Sequence, residues 1–230
     1  MKRNRTVWIA FLLIAAVALA GSTVATTANA FVGAIAVGLG RMNEVGPIQT
    51  SFSGDVRLET EEMSVDTRVF YKPGKVRDEI QMGGRSMVTI RRMDLEKIWM
   101  IMGPGMYMEI DANQGSQQAP DFKLVSREIV GKEMVNGMKT TKYKSVYETA
   151  DGKFGGFTWY TEDNIAVKGF LVHESKGEKR RDKFEFTRLE RGPQADSLFE
   201  VPKGAQKLPT GGFPGMNGMG SAGGSPFGAP

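Results

Sequence analysis

Methionine supplies the densest set of candidate ligands in this sequence. In Ile98-Trp99-Met100-Ile101-Met102-Gly103-Pro104-Gly105-Met106-Tyr107-Met108, two methionines lie two residues apart on each side of a Gly-Pro-Gly turn. Residues two apart on a strand point to the same face. A three-residue turn at Gly103 to Gly105 would set Met102 opposite Met106 and Met100 opposite Met108, giving four thioethers on one patch. Soft thioethers suit Cu(I), so a remote reading is a copper site. The favoured reading is that methionine fills an irregular core or lines an adaptable apolar pocket. Met82, Met87 and Met93 lie nearby in sequence and suggest a Met-rich surface rather than a four-ligand cage.

Other chemistry is sparse. His173 is the only histidine and sits in the strand-like run from Ile165 to Glu174. Alone it cannot build a His-based metal site, and a Ser–His hydrolase needs stronger context. It is read as a surface or strand-end residue. The chain has no cysteine, which excludes disulfides, thiolate catalysis and Cys-ligated metals. Carboxylates alternate with apolar residues or occupy turns, and no pair stands out as acid and base. There is no phosphate-binding GxxxxGK[ST], no GxGxxG opening a helix and no HExxH. The run Lys176 to Lys183 is a charged hairpin end, favoured as a solvated turn over a patch for anionic lipid head groups. The expectation is a protein without cofactor or metal, and not an enzyme.

The elements that position these residues repeat with period two from Ile48 onward. Phe52, Val56 and Leu58 alternate with Ser53, Asp55, Arg57 and Glu59. Val76, Ile80 and Met82 alternate with Arg77, Glu79 and Gln81, and Phe184 and Phe186 with Lys183, Glu185 and Thr187. Such strands belong in an antiparallel sheet with one wet face. Turn signals follow at strand-sized intervals: Pro73-Gly74, Gly83-Gly84, Asp94-Leu95-Glu96, Gly103-Pro104-Gly105, Asn136-Gly137, Asp151-Gly152 and Asp163-Asn164. About ten strands joined as hairpins form a meander that must curl to bury its apolar face. Gly155-Gly156 reads as backbone relief in a bent strand. Helical signal is weak, confined to Ala34 to Val45 and a turn near Ala195 to Phe199.

The ends differ from this body. Residues 1–30 carry Lys2, Arg3 and Arg5, an apolar run from Val7 to Ala20, and Ala28-Asn29-Ala30, an A-x-A site. That order predicts an export signal cleaved after Ala30. A competing reading keeps it as an uncleaved anchor, because Phe31 to Leu39 is also apolar. Leu19-Ala20-Gly21-Ser22 has the outline of a lipoprotein site, but Ser22 lacks the thiol that accepts lipid, so no lipid anchor is expected. Residues 31–47 form an N-terminal segment with helical potential, 48–208 the β domain, and 209–230 an uncharged Gly/Pro/Met-rich tail expected to be disordered. The whole chain carries 30 basic and 26 acidic residues, a net +4. Three of those basic residues lie in the signal, so the remainder is near neutral and gives no electrostatic reason to expect nucleic acid.

Two segments carry a family resemblance. Gly131 to Tyr143 (GKEMVNGMKTTKY) resembles the strand–turn–strand motif G-x-E-x-V-x-G-x-x-T-x-K-Y, and Ser197 to Lys207 (SLFEVPKGAQK) resembles a closing S-L-F-x-x-P-x-G-Y-x-K. Gly156 to Thr161, with its Trp159, Tyr71 to Arg77 and Asp94 to Trp99 also fit. These are similar to uncharacterised exported bacterial domains that look like the LolA/LolB lipoprotein-carrier superfamily, over roughly Phe52 to Lys207. One departure is Ala205, where the family commonly has Tyr. The resemblance implies a mainly β fold: a strongly curved antiparallel half-barrel with one or two short helices closing its concave side. It also implies a scaffold that holds acyl chains in that concavity.

The combined expectation is a periplasmic or secreted protein with an apolar cavity for a lipid, an acyl chain or another hydrophobic ligand. Its candidate lining is Ile80, Met82, Ile90, Met100, Met102, Met106, Met108, Trp159 and Phe186. The alternative is an envelope scaffold with a filled core and a protein partner. Membrane contact is at most peripheral, and the sequence leaves the oligomeric state open.

Overall fold

The computed structural model describes residues 45–208, apart from 62, 83–84, 102–104, 112–121, 150–151 and 176–177. The expected signal at 1–30, the helix proposed from Ala34 and the tail at 209–230 lie outside the described residues, as do Met102 and the tip of the charged hairpin.

Among the described residues twelve strands form a single sheet. They are Phe52–Glu59 (β1), Ser64–Lys72 (β2), Lys75–Met82 (β3), Arg85–Arg92 (β4), Lys97–Ile101 (β5), Met106–Asp111 (β6), Phe122–Val135 (β7), Met138–Thr149 (β8), Gly152–Thr161 (β9), Ala166–Ser175 (β10), Glu178–Arg191 (β11) and Gln206–Leu208 (β12). The order across the sheet is β12-β6-β5-β4-β3-β2-β1-β11-β10-β9-β8-β7. It is therefore two meanders, β1 to β6 and β7 to β11, zipped along the antiparallel pair β1–β11. Eleven strands pair antiparallel, and β12 adds parallel to β6, with Gln206 N–H donating to Gly105 O at 2.7 Å.

The connectivity itself demands curvature. β6 and β7 stand ten strand intervals apart in that order, about 48 Å in a flat sheet. Residues 112–121 join them, and a link of that length reaches at most about 40 Å when fully extended. The two ends of the sheet must therefore approach each other. The glycines expected to relieve a bent strand do so at contact distance: a Cβ on Gly156 would lie 2.0 Å from Phe170 O and one on Gly155 2.6 Å from Ser145 O. The Asn136-Gly137 turn between β7 and β8 has positive φ at both residues, 46° and 77°, the form that matches strand twist.

The face carrying the main apolar cluster is called inner here. Register defines it across the first meander. One row runs Phe52–Tyr71–Val76–Arg91–Ile98–Ile110, the next Gly54–Val69–Asp78–Thr89–Met100–Met108–Leu208, and a third Phe186–Val56–Thr67–Ile80–Met87. The inner row Leu58–Phe184–Gly169–Thr158–Tyr143 extends it into the second meander.

A smaller cluster occupies the outer face, where Phe199 is fully buried against Ile90, Trp99 and Ile101. Phe199 belongs to a 3₁₀ turn, Asp196–Phe199, at the place where sequence suggested a turn. Lys72 and Lys75 both donate to Asp196 Oδ1, at 2.9 and 3.0 Å, and Arg77 donates to Leu198 O. The turn thus packs on the outer face of β3 and β4. Burying one phenylalanine side chain stabilises by about 1.5–3 kcal/mol, and these hydrogen bonds add to it in holding the segment on the sheet. Among the described residues no helix is long and apolar enough to cross a membrane.

Candidate functional site

The strand period makes the inner face mostly apolar, and the hairpin register assembles its methionines. Met100 and Met108 are direct partners across β5 and β6, and both are buried. Ile80 and Phe186 lie in the neighbouring row and are also buried. These four candidates share one face. Met106 is 45% exposed at the start of β6, beside Gln206 of β12. Met102 lies outside the described residues, and so does the side chain of Met82.

Two candidates fall elsewhere. Ile90 alternates with Thr89 and Arg91 and faces outward, under Phe199. Trp159 pairs in register with Lys142 and Lys168, on the strand parity opposite Thr158, yet it is buried and packs within the main apolar cluster. Their ammonium groups lie 4.7 and 5.5 Å from its ring, and its Nε1 donates to Glu133 at 2.7 Å. The β9 strand was apolar on both sides, so sequence could not assign the direction of that ring.

The inner face also holds what the sequence reading passed over. Asp78 sits between Val69 and Thr89 in register, at a parity position that Val76 and Ile80 mark as inward. Its side chain is 1% exposed, and Arg91 Nη1 donates to its Oδ2 in a closely buried ion pair. Burial pushes the Asp78 carboxyl above the usual carboxylate range, and the Arg91 charge opposes that shift. The signal was present in the sequence: Asp78, Thr89 and Arg91 interrupt the apolar parity of V-R-D-E-I and M-V-T-I-R-R-M.

Among the described residues, the buried side-chain atoms without a hydrogen-bond partner are Asp78 Oδ1, Thr89 Oγ1, Thr158 Oγ1, His173 Nε2 and Asp182 Oδ1. Register and strand period place all five on the inner face. His173 is therefore not a plain surface residue. It stacks on Phe154 at 5.0 Å, its Nε2 is 2.8 Å from Asp182 Oδ2 without hydrogen-bond alignment, and it is half-buried. Leaving a buried polar atom unpaired costs roughly 1–3 kcal/mol; for His173 Nε2 the nearby Asp182 carboxylate offsets that cost.

Several polar groups of the outer face are paired. Glu109 accepts from Trp99 Nε1 at 3.0 Å and Lys207 Nζ at 2.9 Å, and these hydrogen bonds hold its carboxyl down at about 2. Three described cations of the 176–183 hairpin also have partners: Arg181 binds Glu61, Lys179 lies near Glu174, and Lys183 near Glu59. No group of three His, Asp or Glu residues suited to a metal ion occurs among the described residues.

This arrangement offers an apolar floor with isolated acceptor and hydroxyl groups.

Solved structures with a similar sheet include MucB. In complex with MucA(peri), that structure shares 21% identity with this chain at a TM-score of 0.44, covering 70% of this chain and 58% of MucB. A second MucB structure gives 19% identity, a TM-score of 0.45, and coverage of 73% and 62%. The lipoprotein LppX of Mycobacterium tuberculosis is similar at 9% identity and a TM-score of 0.39, over 62% of this chain and 88% of its own. This chain thus spans about three-fifths of the length of the MucB structures it matches. It matches no protein-family model and no curated protein.

Proposed function

We propose that this chain is a non-enzymatic, exported envelope protein that binds a lipid or other hydrophobic ligand on the inner face of its curved sheet. One observation carries the reading: a large apolar cluster on the inner face, with the paired Met100 and Met108 at one end and Phe186 and Phe184 near the middle. Methionine side chains adapt to irregular apolar shapes, which suits chains of varied length and saturation. Apolar burial supplies most of the affinity, at about 25 cal/mol per Å² before association costs. Titration of a fluorescent fatty acid tests it. Saturable binding, displaced by unlabelled lipid, is expected; no binding with folded protein overturns it.

A second reading, a protein-interaction module, has one specific observation in its favour. β7 is an edge strand and exposes Leu124, Val125, Ile129, Val130 and Met134. An open edge with apolar side chains is a template for an added strand. Bulges at Leu124/Ser126 and Ile129/Gly131 break the regularity of that edge, which weighs against it. Loss of a co-purifying partner on Ile129→Lys would favour this reading.

A further inference from the structure

We infer that edge strand β7 docks on an anionic lipid surface, with Leu124, Ile129 and Met134 entering the interface and Lys132 and Lys139 meeting the head groups. This surface lies beyond the buried inner cluster and serves a role additional to ligand binding: it is where the protein meets a membrane.

Five of the seven large apolar side chains exposed among the described residues lie on this one strand. Register sorts them. Ile129 opposes Tyr143 of the inner row, Leu124 opposes Tyr147, and Met134 opposes Lys139, so these three share the inner parity along the rim of the sheet. Val125 and Val130 occupy the two bulges and are exposed as well. Apolar side chains gathered in this way on a surface mark an interaction site.

The charge beside this row is cationic and available. The acids of β7 are taken: Glu133 binds Lys142 and Trp159, and Glu128 lies near Lys144. Lys132 precedes Met134 by two residues on the same face, and Lys139 lies directly across from it. Both lysines are exposed, and neither has an ion-pair partner among the described residues. Two ammonium groups flanking an exposed thioether suit anionic head groups laid over acyl chains.

Lysines and bulges also protect edge strands from pairing with other chains. That role leaves the five apolar side chains unexplained, since they favour the contact that the bulges hinder. A lipid surface removes the conflict. It needs no ladder register, so the bulges at Val125 and Val130 do not weaken it, whereas an added strand loses ladder bonds at both. At head-group depth the open N–H and C=O groups of β7 keep their water.

Co-sedimentation with vesicles tests this docking, using the protein as purified from its own cell envelope. Vesicles of phosphatidylcholine with about one quarter phosphatidylglycerol should bind it about twentyfold more tightly than phosphatidylcholine alone. That advantage should shrink as salt rises from about 0.05 M to about 0.5 M. Lys132→Gln/Lys139→Gln should lose most of it, about fivefold for each charge, with binding to neutral vesicles unchanged. Ile129→Ser/Met134→Ser should weaken binding to both kinds of vesicle by about tenfold. Leu95→Ser/Lys203→Gln, which alters exposed residues on other elements, should bind as the parent does. The substituted residues are all exposed, so every variant should keep the parent's unfolding midpoint.

Equal binding by the parent and both β7 variants overturns the inference, as does no binding or binding without preference for the anionic vesicles. Loss of a co-purifying protein from Ile129→Ser/Met134→Ser, with vesicle binding unchanged, assigns the edge to an added strand and also overturns it. Fatty-acid binding on the inner face is measured separately and should be the same in every variant, so failure of either reading leaves the other standing.

Discussion

Asp78 and Arg91 form an ion pair on the apolar face of the sheet, both more than nine-tenths buried, with Val76 and Ile98 on either side of Arg91. Removing one partner strands a charge. Arg91→Met should destabilise by about 3–5 kcal/mol in urea unfolding, whereas the double variant Asp78→Leu/Arg91→Met should recover most of that loss. An Arg91→Met variant as stable as the parent would show that the pair is not buried as described.

The close approach of β10 to β11 predicts a second effect. A Cβ on Gly169 would sit 2.0 Å from the Phe184 ring. Gly169→Ala should cost about 1–3 kcal/mol or more by overpacking, and Phe184→Leu in the same chain should relieve part of it. Gly131, with nothing within 4 Å, is the control, and Gly131→Ala should fall within about 0.5 kcal/mol of the parent.

These two sites also mark how far the sequence could be read. Alternation placed Ile80, Met100, Met108 and Phe186 together, and the Gly-Pro-Gly turn set Met100 opposite Met108. The same alternation was silent for Trp159 and Ile90, because β4 and β9 carry apolar residues on both parities and the outer face has its own small cluster. Asp78 was legible as a charge at an inward position, but its bond to Arg91 depends on pairing across β3 and β4. The β1–β11 junction, which decides the order of the whole sheet, joins residues more than a hundred positions apart, and no local pattern encodes it.

Acid should loosen the β6–β12 junction. Glu109 is held down at about 2 by hydrogen bonds from Lys207 and Trp99. A carboxyl depressed in the folded state contributes stability that is full above its unfolded value and is lost as pH falls through the folded one. The contribution should therefore fade between about pH 4.5 and pH 2. Glu109→Gln should be less stable than the parent at pH 7 and indistinguishable from it near pH 2 in chemical unfolding followed by circular dichroism. An equal difference at both pH values would rule out Glu109 as the titrating group.

Edge strand β7 should tolerate charge. Ile129 and Met134 are 67% and 62% exposed. Ile129→Lys and Met134→Lys should each change unfolding free energy by less than about 0.5 kcal/mol. Both should reduce self-association on concentration, read by light scattering, since charge on an edge disfavours added strands. Unfolding of either variant would show that these side chains are part of the core.

Native mass spectrometry of the protein purified from its own cell envelope tests ligand binding most directly. The account predicts an adduct whose mass, after extraction, belongs to a lipid bearing an acyl chain. Protein recovered only at its bare mass, with no lipid in the extract, would contradict it.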